Sequence, residues 1–217
     1  MELTKEQIEI VESYLQNRKV EYLDLKVEIL DHMILDIEQL MSKNHSFENA
    51  LKMTTIKWER HFTQRSSFYF GMLYSESKIV VDKAVKEFRS YYFLYLAAYL
   101  LPMFFLKNSS IPFQEQEANL INNLLLSVTF LALIYMIYII IKTQLSKQKS
   151  TYRFILKTQY IAVVFLIIPL LLGGFLDHKG QLSSIFMSFM SGGVMVTYIC
   201  HHFYKKHQAV VGKYKIS

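Results

Sequence analysis

NLINNLLLSVTFLALIYMIYIII, residues 119–141, carries no charged side chain; Glu117 lies just before it and Lys142 closes it. At a helical rise of about 1.5 Å per residue, a stretch of this length covers about 34 Å, enough to cross a bilayer core of about 30 Å. A buried helix in a soluble domain of this size rarely runs so far without a polar stripe. The stretch is read as a membrane span, and the rest of the chain is organised around it.

Three further spans are expected. Residues 91–106, YYFLYLAAYLLPMFFL, are short for a span; Pro102 is placed to kink them and Lys107 to snorkel. Residues 155–176 begin near Lys157 and carry Pro169, Gly173 and Gly174 towards their exit, and residues 182–204 form the last span. The loop after residue 141 holds Lys142, Lys147, Lys149 and Arg153, and the tail holds Lys205, Lys206, Lys213 and Lys215. The opposite loops have Lys107 alone and Lys179 alone. By the positive-inside rule the basic loop and tail are cytoplasmic, and four spans put the N-terminus there too. Without the short first span, either the N-terminal region is exported or the basic loop lies outside. A multi-pass protein of the cell membrane with both termini cytoplasmic is therefore expected.

Composition agrees with a chain part membrane and part water-soluble: 217 residues, 52% hydrophobic and 19% charged. Residues 1–90 hold 13 Lys+Arg and 15 Asp+Glu, whereas residues 91–217 hold 11 and 3, so the net +6 comes from the hydrophobic half. The basic pI reads as loops flanking membrane helices, not as a nucleic-acid site. A single cysteine, Cys200, excludes an internal disulfide. The acidic, amphipathic N-terminus lacks the basic and apolar regions of a cleavable signal peptide, and none is expected.

The first 62 residues read as a small helical domain. Thr4 and Gln7 form a capping box for a helix to about Asn17, with Ile8, Val11 and Leu15 at helical spacing. A second helix follows, with Leu23, Val27, Leu30, Ile34, Ile37 and Met41 as its apolar stripe and acids over the remaining face. Ser46 is placed to cap a third, with Trp58 as the expected largest piece of the shared core. Residues 63–90 read as a hinge, whose aromatics pack on the domain or rest in the interface, and a basic amphipathic juxtamembrane helix. Residues 91–217 are the membrane domain and its basic tail. The expected fold class is all-α: a small cytoplasmic three-helix domain plus a four-helix transmembrane bundle.

The order LTKEQIEIVESYL, YLDLKVEILDHMILDIEQLM and HSFENALKMTTIKW resembles the short helical domain called HAAS, or permease-prefix, over about residues 3–60. Ser46, Glu48 and Ala50 match its Ser-x-Glu-x-Ala-type third helix; Asn44-His45 stand where that family often has a glycine. The resemblance implies a non-catalytic signalling or interaction module ahead of membrane helices, in a family often found beside PadR-type repressors or fused to permeases.

Few residues point to chemistry. No ionisable group falls near the middle of any span, and no metal-protease, phosphate-loop, nucleophile-elbow or dinucleotide motif stands in a suitable context. Cys200, His201, His202 and His207 are the best metal candidates by ligand type, although adjacent residues of a helix diverge. Neither a metal nor another cofactor is expected. Ser184, Ser188 and Gly192, spaced by four, form a small-residue stripe suited to packing against Gly173 and Gly174. Glu28, Asp31 and Asp36 mark an acidic face suited to a basic partner helix.

The functional expectation is a non-enzymatic integral membrane protein, a regulatory or adaptor module whose cytoplasmic domain binds a protein partner or a second copy of itself. Its other partner is the lipid bilayer. The alternative is a small transporter or transporter subunit with a path between spans three and four.

Overall fold

The computed structural model describes residues 2–18, 20–107, 112–177 and 180–215. Lys19 and Lys179 lie outside the described residues, as does the side chain of Lys215. The chain is mostly helical with one small antiparallel sheet: α1 (Lys5–Asn17), α2 (Leu23–Met41), α3 (Phe47–Glu59), β1 (Gln64–Ser67), β2 (Gly71–Ser77), α4 (Lys78–Lys107), α5 (Glu115–Leu145), α6 (Thr151–Thr158), α7 (Ala162–Leu171) and α8 (Ser184–Lys215). Among the described residues, three stretches are long and apolar enough to cross a membrane: Glu115–Leu145, Thr151–Leu171 and Ser184–Tyr214. In α4 the apolar part is diluted by Tyr91, Tyr92, Tyr95, Tyr99 and Pro102, and it is not among them.

The chain divides into two compact units, and the division differs from boundaries at 62 and 90. One unit comprises residues 1–86, 147–154 and 206–217; the other comprises 87–146 and 155–205. The first unit thus takes in the expected hinge, the loop between two candidate spans, and the tail.

In the first unit, helix starts follow local chemistry. Thr4 caps α1 through a reciprocal box with Gln7, at 3.3 Å to the Gln7 N–H and 2.9 Å back from Gln7 Oε1. Ser46 accepts from the Asn49 N–H at the start of α3. Val11, Leu15, Leu25, Ile29, Met33, Ile37 and Ala50 form the core. The buried line on α2 therefore lies roughly a quarter-turn from the expected stripe, with only Ile37 common to both. Val27 is exposed instead. Apolar side chains cover more than half of this helix, and the packing of α1 and α3 on it decides which of them are covered.

Two other expectations are corrected here. Trp58 is half-buried: its indole N–H donates to Asp36 Oδ2 at 3.0 Å, so it closes a polar staple at the edge of the core. The expected hinge is the hairpin β1–β2, paired Gln64–Ser77, Arg65–Glu76, Ser66–Ser75 and Ser67–Gly71. Gly71, at φ +83°, supplies the left-handed residue of its turn. Of the apolar residues in the hairpin only Phe70 is buried, at 5% exposure.

In the second unit, Phe88, Met136, Ile139, Leu166, Phe175, Ile199 and Phe203 are buried, while Phe104, Leu120, Leu131 and Leu171 face outward. An apolar interior wrapped by an equally apolar exterior suits a hydrocarbon solvent. Between α6 and α7 the backbone runs through bonds from Gln159 N to Leu156 O and from Ala162, Val163 and Val164 N to the carbonyl three residues back, a tight turn that interrupts the span. Gly173 (φ +90°) and Gly174 (φ +132°) end α7.

Candidate functional site: a polar junction around Asp24

Three separate stretches of sequence meet in the first unit at the start of α2. The Asp24 side chain is only 7% exposed. Its Oδ1 accepts from the Thr151 N–H at 2.9 Å, and Oδ2 lies 3.4 Å from Lys83 Nζ. Lys83, on α4, also donates to the Asp24 carbonyl at 2.9 Å and to Glu28 Oε2 at 2.8 Å. Burial alone lowers the affinity of Lys83 for its proton; the hydrogen bond it donates to Glu28 and the charge of Asp24 outweigh this, and its pKa is raised.

The stretch before α6 is tied down over its whole length. Lys149 pairs with Glu21, and its carbonyl accepts from the Leu23 N–H at 3.0 Å, satisfying a donor that α2 leaves free at its N-terminus. Ser150 Oγ accepts from the Arg153 N–H at 3.1 Å, which makes it the N-cap of α6, and shares a hydrogen bond of 2.8 Å with His207 Nδ1 on the end of α8. Ser150 and His207 are 0% and 2% exposed, so this hydroxyl–imidazole pair is closed to solutes. Lys206 stacks its ammonium 5.3 Å from the Tyr152 ring. Beside the junction a cavity of about 280 Å³ is lined by Arg18, Glu21, Tyr22, Gln64, Glu76 and Lys149. Desolvation, followed by the neighbouring Glu76 carboxylate, pushes the Tyr22 phenol up, so it stays protonated.

The residues expected to dock a basic helix are largely used within the chain. Glu28 binds Lys83, and Asp36 holds Lys57 at 2.7 Å together with Trp58. Burial tends to raise the Asp36 carboxyl, but the hydrogen bonds from Lys57 and Trp58 prevail and hold it below its ordinary value. Asp31 is exposed.

The metal candidates are not brought together. Cys200 is buried; His201 bonds to Tyr135, His202 bonds to Tyr91 at 2.9 Å, and His207 turns to Ser150. Among the described residues no group of three or more His, Cys, Asp or Glu is arranged to hold a metal.

The small-residue stripe packs, but not on the two glycines expected. A Cβ on Gly192 would lie 3.3 Å from the Tyr99 ring of α4, and one on Gly193 would lie 2.7 Å from Leu166 of α7. Just before them, Ser191 Oγ donates to the Ala98 carbonyl at 2.7 Å, and Ser188 is buried. Ser184 is the first residue of α8. Gly174 faces Asn122, whose Oδ1 accepts from the Phe175 N–H at 2.7 Å, whereas Gly173 has open space around it.

Asp24, Lys83, Ser150 and Thr151 were not singled out by sequence reasoning. The one available signal is local: Ser150-Thr151 immediately before an apolar run is an N-cap signature. Compared with protein-family models, curated proteins and solved structures, the chain matches none.

Proposed function

We propose that the chain is a four-span protein of the cell membrane whose first unit is a cytoplasmic regulatory or adaptor module that binds a protein partner. The observation that carries this reading is the composition of that unit from residues 1–86, 147–154 and 206–217. A compact unit lies on one side of a bilayer, so each excursion from it crosses an even number of times. The excursion 87–146 contains α5, a candidate span, and therefore needs residues 91–106 of α4 as its other crossing. The excursion 155–205 contains the α6–α7 stretch and α8, which already make two. The basic residues Lys147, Lys149, Arg153 and Lys206 in that unit favour the cytoplasmic side.

The same arrangement supports a regulatory role. Segments continuous with α4, α5, α6 and α8 are built into one body around Asp24, so a change in those helices reaches its surface through the backbone. That surface carries Leu35, Met53 and Ile56, 60, 48 and 67% exposed, with Asp31 on the same helix as Leu35. These give a partner apolar contact area beside negative charge. Asn44, with φ +66°, supports the HAAS resemblance: the turn before α3 needs a left-handed residue where that family often has glycine, and asparagine is the side chain that best tolerates it.

Photocrosslinkers placed at Leu35, Met53 and Ile56 of the intact protein in cells test the reading. A discrete adduct with one other protein is expected, weakened by Asp31→Lys and abolished by Ile56→Asp. Adducts with a second copy alone move the reading to self-association, and no adduct at any of the three sites overturns it.

A further inference from the structure

The hairpin holds apolar side chains that are largely open to solvent. Phe68, Met72 and Leu73 are 82, 88 and 96% exposed, the most solvent-facing large hydrophobics among the described residues of the first unit. Met72, Leu73 and Tyr74 fall between the pairs Ser67–Gly71 and Ser66–Ser75, so they form an irregular bulge opposite no partner residue. The flanking residue Phe70 is buried and packs edge-on against Phe154, ring centroids 5.3 Å apart. Arg65, paired with Asp82 at 2.9 Å, fixes the hairpin alongside α4. A tip so firmly based and so apolar is built to meet something.

We infer that this tip, Phe68 with Met72 and Leu73, inserts into the headgroup region of the lipid bilayer, an interfacial anchor on the cytoplasmic leaflet. The inference rests on the membrane reading above. Phe154, the seat of Phe70, belongs to the candidate span Thr151–Leu171 near its first residue. Phe68 and Tyr69 line a hollow with Val81 and Val85 of α4. Val85 precedes Tyr91, where the first span starts, by six residues, about 9 Å along the helix at about 1.5 Å per residue. Each interfacial layer is itself about 5–7 Å deep, so the bulge needs little reach to enter it. Lys86, exposed on α4, supplies positive charge that an anionic leaflet attracts. Phe, Met and Leu flanked by basic residues are the composition of a membrane-surface contact.

The test uses the full-length protein reconstituted in vesicles of phosphatidylcholine and phosphatidylglycerol, with an environment-sensitive fluorophore on single cysteines at positions 68, 72 and 73. Cys200 is buried and replaced by Ala. Controls are Ile56→Cys, exposed on α3, and Leu131→Cys, exposed on α5. The expected result is loss of emission with shallow nitroxide lipids at all three tip positions and with deep nitroxide lipids at Leu131, with Ile56 quenched only by aqueous iodide. Iodide quenching at the tip with lipid quenching at Leu131 overturns the anchor and leaves the membrane reading standing. Protection from both quenchers, with disulfide-linked dimers when the same cysteines are left unlabelled and exposed to an added thiol oxidant, overturns it in favour of a second copy. Absence of lipid quenching at Leu131 as well overturns both. As a check that does not use labels, Phe68→Trp in a Trp58→Phe background should lose emission with brominated lipids.

Discussion

The two units are held together in different ways. In the first, the cross-links are charged: Arg18–Glu59, Lys57–Asp36, Arg65–Asp82, Lys83 with Asp24 and Glu28, and Lys149–Glu21. They surround a narrow apolar core on α1, α2 and α3. In the second, cohesion comes from close approach: Gly192 under Tyr99, Gly193 against Leu166, and Ser191 bonded across to the Ala98 carbonyl at 2.7 Å, while Thr129 and Thr197 bond back to carbonyls of their own helices. Water drives apolar burial and screens charges, so a small core gains specificity from polar staples. Hydrocarbon gives no such drive, so contact area and internal hydrogen bonds carry the packing.

That contrast yields a graded series of tests. Met33→Ala removes a fully buried side chain from the first unit and should cost about 2–5 kcal/mol. A melt followed by the fluorescence of Trp58, the single tryptophan, reads it. Gly193→Leu should cost about 1–3 kcal/mol by overpacking α7 against α8, seen as a lower melting temperature in detergent, while Gly192→Ala, meeting only the edge of Tyr99, should cost less.

Lys83→Met leaves the Asp24 carboxylate without its cation and should cost about 1–3 kcal/mol. Hydrogen exchange should then rise at Leu23, Thr151 and Arg153, whose N–H groups the junction holds; unchanged exchange there would mean that the junction does not act as a unit.

Acid gives a smaller effect with a definite sign. Asp36 is held below the ordinary 3.8, so its contribution is complete above that value and is lost as pH falls through its depressed pKa. Trp58 emission, which senses the Asp36 bond, should change in that acid range in the parent and not in Asp36→Asn. The smallest effect belongs to the exposed pair Arg18–Glu59, where Arg18→Gln should cost less than about 1 kcal/mol and less still in high salt.

Local signals were legible in proportion to how little they depend on partners. The caps Thr4 and Ser46 and the uncharged run at 119–141 depend on the immediate chain, and each is where the residues indicate. The buried face of α2 is not legible in the residues alone, because apolar residues at 23, 25, 27, 29, 30, 33 and 34 satisfy more than one helical face. The hairpin was read as a hinge because its alternation is interrupted by a bulge, and the apolar residues in that bulge gave no period to follow.

The amino-acid sequence by itself determined that the chain is mostly helical, where α1 and α3 begin, and that the run at 119–141 suits hydrocarbon, because hydrogen-bond caps and hydropathy act over a few residues. Only the tertiary structure decided that residues 147–154 and 206–217 join the N-terminal helices in one unit. Only the tertiary structure put Asp24 against Thr151 and Ser150 against His207, 127 and 57 positions apart. It also left Phe68, Met72 and Leu73 largely open to solvent. Such contacts between distant segments leave no periodicity: a lone Asp, Ser or Lys reads the same whether it faces water or closes a junction. What it does is set by the segment that folding brings to it.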